Sequence, residues 1–194
     1  MTTGNMPSWL ETLIAPPDDK QRVRDEIEIK FLLRKEQAQA FIHAPGVRVE
    51  PIEQVYLDYA QIQYYLTEDL TPEQPDTYPE WRIRSLGDRY KLTAKKPTTI
   101  DAAQRTEFEK DISADLYQTL LAVAEAQGAL RKVSKTRYSR VLTFSQQQVL
   151  AQLDDYHFAG TQAIQADFVT CEVEVPELRL AKISKVSSLV FHPP

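Results

Sequence analysis

The chain has 194 residues, is 42% hydrophobic and 26% charged, and carries a formal net charge of −5. That suits one ordinary domain with a real core, and the negative balance argues against a sequence-blind nucleic-acid binder. No apolar run approaches the roughly 20 residues of a membrane helix, Met1–Leu10 lacks a secretory pattern, the lone Cys171 excludes a disulfide framework or a four-cysteine zinc site, and no P-loop, dinucleotide fingerprint or H-E-x-x-H occurs.

In chain order, residues 1–25 read as a polar leader. Its one apolar segment, Trp9-Leu10 and Leu13-Ile14, forms either a short docking helix or a loose tail. Residues 26–194 form the main domain. Strand-like stretches recur there at Glu26–Leu33, Gln54–Leu66, Trp81–Ser85, Tyr90–Lys95, Arg105–Lys110, Val133–Thr143, Leu150–Phe158 and Phe168–Val175, each β-branched, aromatic or alternating. Two helices are expected. Lys35–His43 stops before Pro45-Gly46. Ser113–Gln127 is capped by Ser113, striped by Leu116, Leu120, Leu121 and Ala124, and ended by Gly128. Thr71–Pro79 reads as a loop, and Pro176–Pro194 has only a weak helical pattern. The class is mainly β with a few helices packed outside (α+β).

The alternation carries the functional signal. Residues two apart on a strand share a face. Glu26, Glu28 and Lys30 therefore oppose Ile27 and Ile29, and Arg82 and Arg84 oppose Trp81 and Ile83. Thr93 and Lys95 oppose Leu92 and Ala94; Arg105, Glu107 and Glu109 oppose Phe108. Lys135 and Arg137 share a face, as do Glu172 and Glu174, with Cys171 turned the other way and expected to be unreactive. A single such strand is an ordinary half-exposed one. A series of them, with charges on one face and bulky apolar residues on the other, points to a sheet closed on itself with its charges inside. Asp154 is expected to join them. Enclosed charges are costly unless paired or ligated. Both signs together suit a polyphosphate carried with Mg²⁺ or Mn²⁺, with carboxylates for the metal and Arg or Lys for phosphate oxygens.

Glu26-Ile27-Glu28-Ile29-Lys30 resembles the ExExK signature of the CYTH superfamily, the triphosphate tunnel metalloenzymes. Trp81–Arg84 is similar to the family's R-x-R strand, Tyr90–Lys95 to L-T-x-K, Arg105–Glu109 to R-x-E-x-E, Lys135–Tyr138 to K-x-R-Y, Leu153–Tyr156 to the single-aspartate strand, and Cys171–Val175 to the closing E-x-E. The resemblance implies a closed eight-stranded antiparallel barrel forming a charged tunnel. It implies Glu26, Glu28, Glu172 and Glu174 as the main metal ligands, supported by Glu107, Glu109 and Asp154. Arg82, Arg84, Lys95, Lys135 and Arg137 would clamp phosphates, with Lys30 alongside; Arg105 either joins them or pairs a neighbouring carboxylate. Lys30, Glu28 and Glu174 are the catalytic candidates. For Lys30, deprotonating water requires a lowered pKa; the alternative is a fixed ion pair with Glu28 or Glu174. Tyr56, Tyr59, Tyr64 and Tyr65 pack the sheet, line a tunnel mouth or stack a base, and His157 is read as a surface histidine. The implied activity is divalent-metal-dependent triphosphate hydrolysis, with inorganic tripolyphosphate ahead of a nucleoside or thiamine triphosphate. The alternatives are a class IV adenylate cyclase and a non-catalytic polyphosphate-binding module. The expected protein is cytoplasmic, a monomer or homodimer, with a small-molecule partner and no membrane or nucleic acid.

Overall fold

The computed structural model describes residues 22–98, 104–128, 131–144, 147–157 and 167–174, with every side chain among them except those of Arg22, Arg24, Asp25, Glu26, Phe144 and Gln147. Eight antiparallel strands close into a barrel: β1 (Arg22–Arg34), β2 (Arg48–Leu57), β3 (Glu80–Leu86), β4 (Arg89–Pro97), β5 (Gln104–Ile112), β6 (Arg131–Phe144), β7 (Gln147–His157) and β8 (Phe168–Glu174). The order around the wall is β1-β5-β4-β3-β2-β6-β7-β8. β1 closes the ring, pairing Val23 with Phe108 of β5 and Ile29 with Val173 of β8. Closure leaves no exposed sheet edge.

The helices are α1 (Lys35–Ile42), α2 (Tyr59–Ile62) and α3 (Ala114–Ala126). Ser113 caps α3 as expected, its Oγ accepting the Leu116 N–H at 3.2 Å, which satisfies one of the helix's orphan donors. Gly128, at φ +65°, ends the run in the left-handed region that glycine tolerates.

The expected second strand is corrected. It runs Arg48–Leu57 rather than Gln54–Leu66. Asp58 ends it by accepting the Ala60 N–H at 3.1 Å and starting α2, so Tyr59, Tyr64 and Tyr65 leave the sheet for a helical excursion. Strand β1 also starts earlier than expected, at Arg22. The rest of the leader and Pro176–Pro194 lie outside the described residues.

The apolar core lies outside the barrel. On one side Val55, Leu57, Trp81, Ile83, Leu92, Ala94 and Phe108 point outward and are buried under Ile62 of α2 and Tyr117, Leu120 and Ala124 of α3. On the other, Leu33, Val149, Ala151, Leu153, Val169, Cys171 and Val173 pack with Ala38 and Phe41 of α1. Each large side chain so buried contributes about 1.5–3 kcal/mol. Because side chains alternate along a strand, this outward packing commits the intervening residues to the lumen. None of the described helices is long and apolar enough to cross a membrane.

Candidate active site

The lumen is a cavity of about 390 Å³. Among its lining residues are Glu28, Lys30, Arg82, Arg84, Lys95, Arg105, Glu107, Glu109, Lys135, Arg137, Glu172 and Glu174. These are the expected charges, gathered from six strands. The Glu26 side chain lies outside the described residues, although its backbone pairs with Arg105.

Carboxylates concentrate on one side of the lumen, although Lys30 of β1 and Arg105 of β5 stand among them and Glu80 of β3 stands on the other side. Adjacent strands β8, β1 and β5 bring Glu172, Glu174, Glu28, Glu107 and Glu109, an acidic wall on which Glu28 sits opposite Glu174. Strands β4, β3 and β6 bring Lys91, Lys95, Arg82, Arg84, Lys135 and Arg137. Between β3 and β6, β2 contributes Arg48 and Glu50 and the uncharged Ile52, Gln54 and Tyr56.

Charges of opposite sign are paired along the wall, between strands that are neighbours or next neighbours. Lys30 Nζ stands 2.8 Å from Glu172 and 3.1 Å from Glu28. Lys95 holds Glu107 at 2.6 Å. Glu109 accepts from both Arg84 and Lys91. Arg137 reaches Glu172 at 2.9 Å and Gln152 at 2.8 Å. Arg105 lines the cavity and has Glu80 at 3.9 Å. Burial disfavours the Glu172 carboxylate, but Arg137, Lys30 and Lys135 outweigh it and hold its pKa well below the usual range.

Asp154 sits apart from the expectation. It is 0% exposed on the inward row of β7, opposite Arg137, and does not itself line the cavity. Arg137 grips it with two bonds of 2.7 Å, and Lys135 takes the same carboxylate. Both oxygens are thus committed to cations, so Asp154 fixes Lys135 and Arg137 in place; bidentate geometry makes that grip directional.

The lysines differ in a way the sequence did not reveal. Burial opposes the charge on Lys30, but Glu172 and Glu28 prevail and raise its pKa above lysine's ordinary value. That is opposite to what a general base needs, and the ion pair joins Glu28 and Glu172 rather than Glu174. Lys135 is lowered to about 8 by burial and then by Arg137, against the opposing pull of Asp154. Cys171 is buried in the outer core and pushed up to about 12 by burial and then by Glu172 and Asp154, which suits an inert thiol. His157 is exposed and meets Thr136 Oγ1 at 2.9 Å.

Several lining residues escaped the sequence reading: Arg48, Glu50, Gln54, Glu80, Arg89, Lys91, Gln152 and Tyr156. Lys91 and Glu80 were within reach of the alternation, two residues from Thr93 and Arg82. The others lie on rows with few charges or beyond the strand ends then expected.

The donor set is all oxygen, which suits a hard divalent cation. Lys30 Nζ, standing between Glu28 and Glu172, marks a place where this wall already attracts positive charge. Among the described residues no three acidic or thiol/imidazole groups are gathered tightly enough to cage a metal; Lys30 and Arg137 occupy the carboxylates instead. On the basic wall, Arg82 Nε and Arg84 Nε are buried without a hydrogen-bond partner among the described residues, an arrangement that favours an incoming acceptor.

Similarity to known proteins agrees with this geometry. The CYTH domain model matches residues 24–189. Among solved structures, a conserved hypothetical protein from Pyrococcus furiosus has TM-score 0.53 at 22% identity, covering 85% of this chain and 90% of its own. A protein from Pyrococcus horikoshii OT3 has TM-score 0.51 at 20% identity, covering 84% and 87%. The Hippeastrum protein HpAC1, which reveals a dominant triphosphatase activity, has TM-score 0.50 at 16% identity, covering 84% and 86%. At these identities the likeness is one of fold. No curated protein sequence matches. The family model spans most of the chain and agrees with the closed barrel and its charged lumen: this chain belongs to the CYTH domain family.

Proposed function

We propose that the chain is a divalent-metal-dependent hydrolase of a triphosphate, with inorganic tripolyphosphate as its minimal substrate. One observation carries the reading: an acidic wall and a basic wall face each other inside one enclosed cavity. A polyanion alone would be served by the basic wall. The acidic wall adds a place for the cations that accompany it.

In this reading Arg82, Arg84, Lys95, Lys135 and Arg137 grip the phosphate oxygens and stabilise charge as the phosphoryl group moves. Glu28, Glu172 and Glu174 hold the metal, with Glu26, Glu107 and Glu109 flanking them. Bound Mg²⁺ or Mn²⁺ would offset phosphate charge and acidify a water. Lys30 stays protonated and acts as a cation that orients and neutralises. Asp154 acts through Lys135 and Arg137 as a positioning residue. Burial in the barrel shields Arg82, Arg84, Lys95 and Arg137 from bulk water, which strengthens their contacts.

The test is to incubate the protein with Mg²⁺ or Mn²⁺ and tripolyphosphate, ATP or thiamine triphosphate, then assay phosphate, pyrophosphate and cyclic AMP. Phosphate release from tripolyphosphate supports the reading. Cyclic AMP without phosphate would make the protein a cyclase, and tight binding with no product would make it a binding module. Glu28→Gln and Glu174→Gln should each abolish metal-dependent turnover; full activity in both would remove the metal assignment.

A further inference from the structure

A second cavity, of about 440 Å³, lies on the outer face of the barrel where β2 ends and β3 begins, and it shares no lining residue with the lumen. Between those strands runs the excursion of residues 58–79, whose charges are all of one sign. Asp58, Glu68, Asp69, Glu73 and Asp76 are its five charged residues, with no lysine, arginine or histidine beside them. Without these five, the chain's acidic residues equal its 23 lysines and arginines, so the whole net charge of −5 resides here. Some of the carboxylates serve the excursion itself. Asp58 starts α2, and Asp69 accepts from the Thr67 hydroxyl and stands 3.9 Å from Lys110. Asp76 has no hydrogen bond or ion pair among the described residues. The turn that carries it is fixed by Gln74, whose carbonyl accepts the Thr77 N–H at 3.0 Å and the Thr77 hydroxyl at 2.8 Å.

The cavity joins two of these carboxylates to three rings. Asp58 and Asp76 line it with Tyr59, Tyr78 and Trp81. Tyr59 stacks on Trp81 with centroids 4.8 Å apart, and Tyr78 meets Trp81 edge-on at 6.4 Å. Carboxylates beside aromatic faces suit an organic cation. These rings already attract one, because Lys96 Nζ lies 4.6 Å from the Tyr78 centroid. Arg131 is the one cation among the described lining residues, and its guanidinium lies over the Tyr56 ring at 5.4 Å.

Trp81 adds an independent requirement. It is 1% exposed, and its indole Nε1 is buried with no hydrogen-bond partner among the described residues. A buried donor left unpaired is costly, and the cavity that Trp81 borders is where an acceptor can come from. A cation and an acceptor side by side are what a peptide offers: a lysine or arginine side chain and the backbone carbonyl next to it.

We propose that this outer cavity docks a basic peptide segment of a partner protein. An arginine or lysine side chain lies between Asp58 and Asp76 against the tyrosine rings, and an adjoining carbonyl accepts from Trp81 Nε1. The other carboxylates of the excursion attract the rest of the basic segment and set its orientation. Tyr64 and Tyr65, which are 85% and 47% exposed and belong to neither apolar core, follow Gln63 of the lining and extend the contact. The site is separate from the lumen, so it stands whether or not the chain hydrolyses triphosphates.

The test uses the full chain and a short amidated peptide carrying two arginines, with a glutamine counterpart as control. Fluorescence anisotropy gives the Kd, and NMR of ¹⁵N-labelled protein follows the indole N–H signals. The chain has two tryptophans, Trp9 and Trp81, and Trp81→Phe identifies the signal of the second. The arginine peptide should bind, the glutamine peptide should not, and the Trp81 indole proton should move downfield as it gains an acceptor. Asp76→Asn should raise the Kd about tenfold, the loss of one charge-assisted contact, and so should Asp58→Asn, which keeps a capping side chain. Glu68→Gln, on the same excursion but outside the cavity lining, should change it by less than about twofold. Asp76 is exposed, so its variant guards against misfolding as the cause. No binding of the arginine peptide, equal binding of the glutamine peptide, an unmoved indole signal, or equal effects of Glu68→Gln and Asp76→Asn would overturn the proposal. Free arginine amide bound as tightly as the peptide would make the cavity a small-molecule site, and a dimer dissociated by Asp76→Asn would make the occupant a second copy; either result overturns peptide docking.

Discussion

The acidic wall of β8, β1 and β5 and the basic wall of β4, β3 and β6 solve the same problem by opposite means. The basic wall has its own internal anchor: Asp154, fully buried on the inward row of β7 opposite Arg137, holds Lys135 and Arg137 from the side. The carboxylates of the acidic wall are instead tied to groups inside the lumen, such as Lys30 on Glu28 and Glu172 or Lys95 on Glu107. Under the proposed function, partners of the second kind exchange when ligand arrives and Asp154 stays, which would separate residues that meet the ligand from residues that keep the site in shape.

The sharpest way to break this contrast is to strip one wall at a time. Arg82→Ala should lower turnover of tripolyphosphate by about 10²–10³-fold, the loss seen when a donor to a developing charge is removed, without raising the metal concentration needed for half-activity. Glu172→Gln should raise that metal requirement. If both variants moved the same parameter, the division of labour would be wrong. Next in size is Asp154→Ala, which leaves Lys135 and Arg137 without their anchor. It should cost about 3–5 kcal/mol in urea unfolding, the usual result of removing one partner of a buried pair, whereas a loss of activity at unchanged stability would return Asp154 to the ligand set.

A smaller effect follows from Lys135, whose pKa is lowered to about 8 mainly by burial and then by Arg137. Below that pH the ammonium is present and helps hold phosphate; above it the group becomes neutral. KM for tripolyphosphate should therefore be flat below about pH 8 and rise above it, by up to about tenfold, the effect of one charge-assisted contact. Bound phosphate would favour the charged form and move the midpoint upward in the complex. Lys135→Arg should flatten the profile; an alkaline limb that survives in that variant belongs to another group.

Much of this site could be read from the residues because the signal and the structure share a period of two. Trp81 and Ile83 had to pack outward, so Arg82 and Arg84 had to face in, and the same reasoning placed Glu107, Lys135 and Glu172. Legibility failed where that contrast faded. The inward row of β2 carries its charges, Arg48 and Glu50, only at its start and continues as Ile52, Gln54 and Tyr56, and Pro51 reads as a break although it sits within the ladder opposite Thr136. Asp58 looks like any polar residue until its carboxylate is seen starting α2. Asp154 was found by pattern, but its burial depends on Arg137 reaching it across the ladder, a tertiary fact. The direction of the Lys30 pKa shift likewise depends on Glu172, 142 positions away.

That distance has a consequence for biogenesis. The first strand is zipped on one flank to β5 and on the other to β8, so the Glu28–Glu174 rung cannot form until residue 174 has been synthesised. Contacts so remote in the chain make for slow, late assembly. Until that seam shuts, the nascent protein presents two unpaired strand borders, which makes the interval before closure its most aggregation-prone stage.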